Sequence, residues 1–368
     1  MSVANNLFWD QDSSVVIIPH NDGSNILEKH MEQLKALCEL QGVSGREDAV
    51  RDYIIDKIKD NTQVSVDALG NIIAFVKGKK RAIKKVMVDA HMDEVGFIVH
   101  YITADGMLKF TPVGGIMTGV LLARRVRFAN GTVGVISSKP IHLLQGDQKD
   151  KMPDKESLYI DIGASSFEEA SAVVSLGDCA VFDEKYEQLG DLIVSKALDD
   201  RAGCWGLIDI INSDPEYDFY AVFSVMEEIG HGARTATFTV DPEYAVVLES
   251  TTAADIAGVL EEKKVCKIGE GAVVSFMDKG TMYDKDLFDE TLKLANEKGI
   301  AHQIKSYVSG GNNAAGIHQT GVGVKTIALS VPCRYIHSAS CVSSVSDVKA
   351  VRDLAEAVIM KMASGDLK

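Results

Sequence analysis

Lys85-Val86-Met87-Val88-Asp89-Ala90-His91-Met92-Asp93-Glu94-Val95-Gly96 is the stretch on which the reading of the fold turns. Its apolar part, 86–90, is too short for a stable helix and places Val at alternate positions, so it reads as a short buried strand. The run ends in a histidine and two acids. In open α/β sheets the groups that act on ligands gather at the carboxyl ends of strands.

Upstream, Met31, Leu34, Leu37 and Cys38 repeat at helical spacing as far as Gly42-Val43-Ser44-Gly45. A second helix is expected over 46–59, with Ser44 placed to cap it and Glu47 three residues on, as a capping box requires. Residues 64–76 alternate around Asp67-Ala68-Leu69-Gly70-Asn71 and read as a hairpin. The first 25 residues are polar and aperiodic, a loose extension.

Downstream the texture changes. From 95 to about 190 short β-like runs (97–102, 125–128, 133–136, 157–162) alternate with Asp-Gly, Gly-Gly and Asn-Gly turns, with one helix over 167–174, which predicts a small β-rich module. After 192 helices and strands alternate: a helix over 200–211, a strand over 220–225, a helix near Ala233, a strand over 244–248, a helix over 285–298, a strand over 326–330 and an amphipathic helix over 347–362. That rhythm predicts an α/β fold with a mixed, largely parallel sheet and helices on both faces. The expected organisation is an extension at 1–30, a discontinuous catalytic unit of 31–94 and 191–368, and a β-rich insertion at 95–190.

Composition narrows the function classes. A formal net charge of −15 argues against a general nucleic-acid partner, which needs clustered Lys and Arg. No apolar run approaches the ~18 residues that cross a bilayer, and no basic-then-apolar leader opens the chain, so no membrane partner is expected. Six cysteines without a C-x-x-C pair suit free thiols in a reducing compartment, hence a cytoplasmic protein.

Polar residues directly after apolar strand-like runs are His91 and Asp93, Asp199 and Asp200, Glu227 and Glu228, and Glu249; His337 follows the 326–330 strand by a short loop. Each has an ordinary structural reading: Asp199 as a helix N-cap, Glu227-Glu228 as a solvated edge, His337 as a satisfied structural histidine, Glu249 as a paired or exposed acid. Together they direct two histidines and several carboxylates toward one edge, a donor set suited to zinc, cobalt or manganese. No Gly-x-Ser-x-Gly elbow and no Cys–His pairing offers a nucleophile instead.

In order and rough spacing, His91-Met92-Asp93-Glu94-Val95-Gly96, Ala197-Leu198-Asp199-Asp200-Arg201, Met226-Glu227-Glu228-Ile229-Gly230, Leu248-Glu249-Ser250-Thr251 and Arg334-Tyr335-Ile336-His337-Ser338 resemble the M42 family of metallo-aminopeptidases, which includes the tetrahedral aminopeptidases. The resemblance covers about 31–363, including Gly42-Val43-Ser44-Gly45 and Gly310-Gly311-Asn312-Asn313-Ala314-Ala315. It implies a phosphorylase/hydrolase-like fold and two divalent metal ions per subunit, zinc or cobalt, with manganese as a further candidate. Asp199 would bridge the ions; His91 and Glu249 would complete one site, Glu228 and His337 the other. Asp93 would stand behind His91 and orient its ring. Glu227 would be the general base for a water between the metals. Many relatives carry Asp where this chain has Glu249, whose extra methylene still allows ligation. The resemblance also implies short peptide substrates and a homo-oligomer, a dodecamer built from dimers joined through the 95–190 insertion.

Other readings keep or drop the metal. A metal-dependent deacylase or carboxypeptidase shares the ligand logic; a glycosidase would leave His91 and His337 idle. A non-catalytic scaffold would be expected to have lost a ligand or the base, and this chain retains them all. His231, beside the acidic pair, reads as a helix-start residue or a substrate contact.

Overall fold

The computed structural model describes residues 24–146 and 151–367; most of the N-terminal extension expected from the sequence lies outside the described residues. Helices α1 (Ser24–Glu39) and α2 (Asp48–Ile58) lead into the hairpin β1 (Thr62–Val66) and β2 (Ile72–Val76), whose turn is held by Asp67 Oδ1 accepting from the Leu69, Gly70 and Asn71 N–H groups. The first helix begins at Ser24, so part of the segment expected as loose is helical. Strand β3 (Val86–His91) is buried at every position.

The β-like runs that follow become β4 (Gly96–Ile102), β5 (Leu108–Val113), β6 (Arg125–Phe128), β7 (Val133–Ser137), β8 (Tyr159–Asp161) and β9 (Cys179–Phe182), with short helices α3 (Thr118–Leu121) and α4 (Phe167–Ser171). The six strands close into a barrel in the order β4-β5-β8-β7-β6-β9, which leaves no open edge. Phe97, Phe110 and Phe182 meet edge to face inside it, within an apolar cluster of the barrel's own.

The rest of the chain supplies β10 (Glu187–Leu189), β11 (Leu192–Ser195), α5 (Leu198–Ile211), β12 (Phe219–Ser224), α6 (Ala233–Val240), β13 (Tyr244–Thr252), β14 (Ala272–Val274), α7 (Lys285–Lys298), β15 (His302–Ile304), α8 (Ala314–Ile317), β16 (Lys325–Cys333), β17 (Cys341–Ser344) and α9 (Val345–Ala363). Eight strands form one sheet, β1-β2-β12-β3-β13-β16-β14-β15, and β10-β11-β17 form a second, small one. In the large sheet four neighbouring pairs are parallel and three antiparallel, so it is mixed. Helices α5 and α9 pack together over β3, β13 and β16, and α6 and α8 pack together by β12 and β16; the sheet carries helices on both sides. Helix α5 is apolar on nearly every side because it lies inside the molecule, between the sheet, α1, α2 and α9.

Local chemistry departs from the sequence reading in two places. Ser44 does not cap α2: its hydroxyl donates to Asp93 Oδ2 at 2.6 Å, because that buried carboxylate needs donors more than the solvated helix start does. Glu47 instead accepts from the N–H groups of Gly45 and Met226. Strand β13 runs past Leu248 to Thr252, paired throughout with β16, so Glu249 lies within a strand and not after one.

Candidate metal centre

The parallel register brings the ligating positions level. Ser224 at the end of β12 pairs with His91 at the end of β3, and Val247 of β13 pairs with Asp89, so Glu249 and His91 each follow two residues on. Beyond β12 the chain turns at Met226 (φ 57°) into the 3-10 turn Glu227–Ile229, which presents both glutamates at the same edge. Asp93 fixes that turn: its Oδ1 accepts from the Glu227 N–H and its Oδ2 from the Glu228 N–H, each at 3.0 Å.

Asp199 is nominally at the start of α5 but has extended backbone (φ −85°, ψ 107°) and makes no cap hydrogen bond. The helix is held by its neighbour, since Asp200 Oδ1 accepts from the Gly203 N–H at 2.9 Å. Asp199 is thereby free to reach two histidines: Oδ1 lies 3.3 Å from His91 Nε2 and Oδ2 lies 3.4 Å from His337 Nε2. On one side Glu249 Oε1 is 3.4 Å from His91 Nε2; on the other, Glu228 Oε2 is 3.1 Å from His337 Nε2. The outer nitrogen of each ring is also engaged. His91 Nδ1 faces Asp93 Oδ1 at 3.3 Å, and His337 Nδ1 donates to the Gly115 carbonyl, on the barrel side of the site, at 2.9 Å. Both contacts turn Nε2 inward.

Seven residues singled out from the sequence (His91, Asp93, Asp199, Glu227, Glu228, Glu249 and His337) therefore gather at one end of the sheet, with Glu227, Glu249, Asp199 and His337 lining a cavity of about 320 Å³. His231 is exposed, and its N–H donates to the Met226 carbonyl. Asp200, among the acids the sequence directs to this edge but given no ligand role there, brings its carboxyl within 4.8 Å of donor atoms of His91 and Glu249, and its buried Oδ2 has no hydrogen-bond partner. Its position in Asp199-Asp200-Arg201 was the available signal, but a helix-start acid is an ordinary feature.

Charge in this cluster is unbalanced. Burial, reinforced by neighbouring acids, pushes Glu227 up to about 8 and raises Glu228, Glu249 and Asp200. Burial opposes charge on the imidazoles, yet Glu249, Asp199 and Asp93 hold His91 well above its ordinary value, and Asp199 and Glu228 take His337 up to about 12. Asp199 goes the other way: burial would raise it, but hydrogen bonds from both rings hold it below the usual carboxylate range. Buried acids in excess of buried cations call for added positive charge. Mixed imidazole nitrogen and carboxylate oxygen donors in two groups, His91 with Asp200 and Glu249 and Asp199 with Glu228 and His337, fit divalent transition metals.

Comparisons with known proteins point to one family. The family model of M42 glutamyl aminopeptidase matches residues 70–354. A putative aminopeptidase of Acetivibrio thermocellus is 36% identical, over 90% of this chain and 99% of its own length; the lysyl aminopeptidase of Pyrococcus furiosus is 34% identical, over 90% and 97%. Among solved structures, a TET aminopeptidase from the marine sediment archaeon Thaumarchaeota archaeon SCGC AB-539-E09 superposes with a TM-score of 0.88 at 32% identity, over 92% of this chain and 98% of that one. The Pyrococcus horikoshii TET1 peptidase, which can assemble into a tetrahedron or a large octahedral shell, superposes with a TM-score of 0.79 at 33% identity, over 90% and 99%. Matched by the family model over most of its length and by these relatives nearly end to end, the chain belongs to the M42 glutamyl aminopeptidase family and is a peptide hydrolase of the aminopeptidase kind.

Proposed function

We propose that this aminopeptidase works with a pair of divalent cations held by His91, Asp199, Glu228, Glu249 and His337, and that Glu227 is its general base. The observation that carries the reading is Asp199, whose two carboxylate oxygens each face a different histidine, as a ligand shared between two neighbouring cations would. Asp200 is a candidate additional donor on the His91 side. Zinc and cobalt suit the donor set best, with manganese next. When bound, such cations supply Lewis-acid charge to the scissile carbonyl and acidify water in the site.

The protein's own groups do the rest. Glu227 lines the cavity beside Asp199 and Glu249, takes the proton of the attacking water on its carboxylate and returns it to the leaving amine. Asp93 holds the glutamate turn and the His91 ring in one arrangement, which spares reorganisation during the reaction. A cavity of about 320 Å³ accommodates one side chain and the first peptide bond, which suits short peptides trimmed from the N-terminus.

Two further parts of the reading concern context. The closed barrel has its own core, and we assign it to subunit contacts in a homo-oligomer, a dodecamer built from dimers, by analogy with relatives that assemble into shells. The six cysteines are free thiols, which favours the cytoplasm; among the described residues no helix is long and apolar enough to cross a membrane.

The test is a panel of free and N-acetylated aminoacyl-amides with zinc, cobalt or manganese present. Free substrates should be cleaved, blocked ones should not, and a chelator should abolish the rate. Cleavage of blocked substrates at the same rate, or activity that survives chelation, would overturn the proposal.

A further inference from the structure

One wall of the cavity beside the metal centre is rich in glycine. It is the loop Ser309-Gly310-Gly311-Asn312, which lines the cavity together with metal-centre residues. Gly310 and Gly311 are exposed, and among the described residues neither of their N–H groups has an acceptor. Bare backbone with free donors lets the main chain of a peptide approach closely. Such a wall serves the reaction only at a fixed distance from the metal centre, because rate depends on where the scissile carbonyl is held.

Most ties of this loop run outward. The ammonium of Lys305, a residue 5% exposed, donates to the Ser309 carbonyl at 2.8 Å, and the Lys279 N–H donates to the Gly310 carbonyl at 2.8 Å. Asn312 Nδ2 donates to the Tyr283 hydroxyl at 3.2 Å, and Tyr283 in turn donates to Asp278 Oδ2. None of these partners lies on β3 or β12.

Asn313 ties the loop inward. This buried residue donates through Nδ2 to Asp89 Oδ2 and to Ser224 Oγ, both at 2.8 Å. Asp89 is on β3, two residues before His91; Ser224 pairs with His91 and ends β12, the strand that leads to the Glu227–Ile229 turn. Among the described residues these are the only hydrogen bonds from the loop and Asn313 to β3 or β12. One amide thus spends both N–H bonds on the two strand ends that matter to the proposed chemistry. Asp89 grips it firmly: the carboxylate is fully buried, its Oδ1 has no hydrogen-bond partner, and an acceptor-only group fixes the amide nitrogen toward itself.

We propose that Asn313 is a positioning residue of this aminopeptidase: it locks the glycine wall to β3 and β12 and so sets the distance between bound peptide and metal centre. The inference rests on the reading above, in which His91 is a ligand and Glu227 the base. Asn313 is not among the residues that line the cavity, and it acts through the loop.

The competing role is plain stability. A tie that only stabilises would, when lost, lower the melting temperature and leave the turnover of folded enzyme alone. The experiment is kcat and KM on Leu-, Glu- and Lys-p-nitroanilides with zinc or cobalt loaded, and metal content by elemental analysis. Asn313→Ala should keep its metal but lose about 100-fold in kcat/KM on every substrate cleaved, mostly in kcat, the cost of an ångström-scale misplacement. Asn313→Asp should do at least as badly, because it sets a second carboxylate against Asp89. Exchanging the pair, Asp89→Asn with Asn313→Asp, reverses donor and acceptor across the same contact and should recover turnover to within about 10-fold of wild type.

Three results overturn the inference and leave the aminopeptidase reading standing: a folded, metal-loaded Asn313→Ala enzyme with wild-type kcat, an Asn313→Ala enzyme that has lost its metal, or an exchange no better than Asn313→Asp alone. A wild-type protein that cleaves none of the substrates overturns both. Should Asn313→Ala not fold, Ser224→Ala decides. It removes one of the two acceptors and should cost about 3–10-fold in kcat, the scale of one neutral hydrogen bond; an unchanged kcat overturns the inference.

Discussion

Replacing Asp93 by Asn isolates the device that holds the metal centre together. Asp93 is fully buried, and each of its oxygens has two neighbours: Oδ1 has the Glu227 N–H and His91 Nδ1, Oδ2 has the Glu228 N–H and the Ser44 hydroxyl. Asn has the same shape but turns one oxygen into a donor. The better orientation puts the amide nitrogen at the Oδ2 position, where Ser44 can rotate to accept, but the Glu228 N–H then meets another N–H. One charge-assisted bond is lost outright, worth about 1.5–3 kcal/mol, and the remaining three lose their ionic character. A total of about 2–4 kcal/mol follows, a large part of a typical folding stability of roughly 5–15 kcal/mol. Urea denaturation of chelator-treated protein measures this without interference from bound metal. Titration of metal into the same variant should show affinity lower by roughly 10–100-fold, because the acceptor that orients His91 loses its negative charge and the glutamate turn loses one of its two anchors. A variant within about 0.5 kcal/mol of wild type and with unchanged metal affinity would refute the reasoning, since that is the range of surface substitutions that touch nothing.

Glu227→Gln should keep both metals by elemental analysis while kcat falls by roughly 10²–10⁴, the range of general-base contributions. Asp199→Asn should instead lower metal stoichiometry, because the carboxylate proposed as common to the two cations, which faces both His91 and His337, is lost. Gly232 has φ +99°, and a Cβ there would lie 1.8 Å from the Val225 carbonyl oxygen, so Gly232→Ala should cost about 3 kcal/mol or more, or prevent soluble expression; an unchanged melting temperature would refute it. The metal-free protein should lose stability as pH rises from about 5 to 9. Glu227 is raised from its unfolded value, near 4.3, to about 8, and His337 from about 6.5 to about 12; both shifts mean that the folded state binds more protons, so raising pH favours unfolding. Melting temperature against pH measures this, and added zinc should flatten the slope by replacing those protons.

The strand ends were legible because an apolar run followed by polar residues is a local pattern. His91 and the Glu227-Glu228 pair lie where that pattern placed them, and α7 has the bounds, 285–298, expected from the sequence. What stayed hidden depends on residues distant in sequence. Ser44 reads as a cap until Asp93, forty-nine residues on, claims its hydroxyl. The end of β13 was misplaced because an acid at 249 looks like a strand terminus, whereas pairing with β16 carries the strand on to Thr252. Strands β14 and β15 are three residues each, too short for any alternation to register, and they exist because β16 offers an edge. Lys305 carried no signal at all, since one lysine among many becomes informative only when its burial is known.

The topology also has a consequence for how the molecule comes into being on the ribosome. Strand β3 sits mid-sheet between β12 and β13, both of which are made more than a hundred residues later. The barrel strands, contiguous from Gly96 to Phe182, can fold while translation continues, but β3 must wait with both edges bare and every side chain apolar or destined for burial. Synthesis thus passes through a long interval in which a strand from the future middle of the sheet lacks both of its neighbours. His337, a ligand in the proposed centre, is made after every other residue of that centre, so a product ending before it should lack the proposed site.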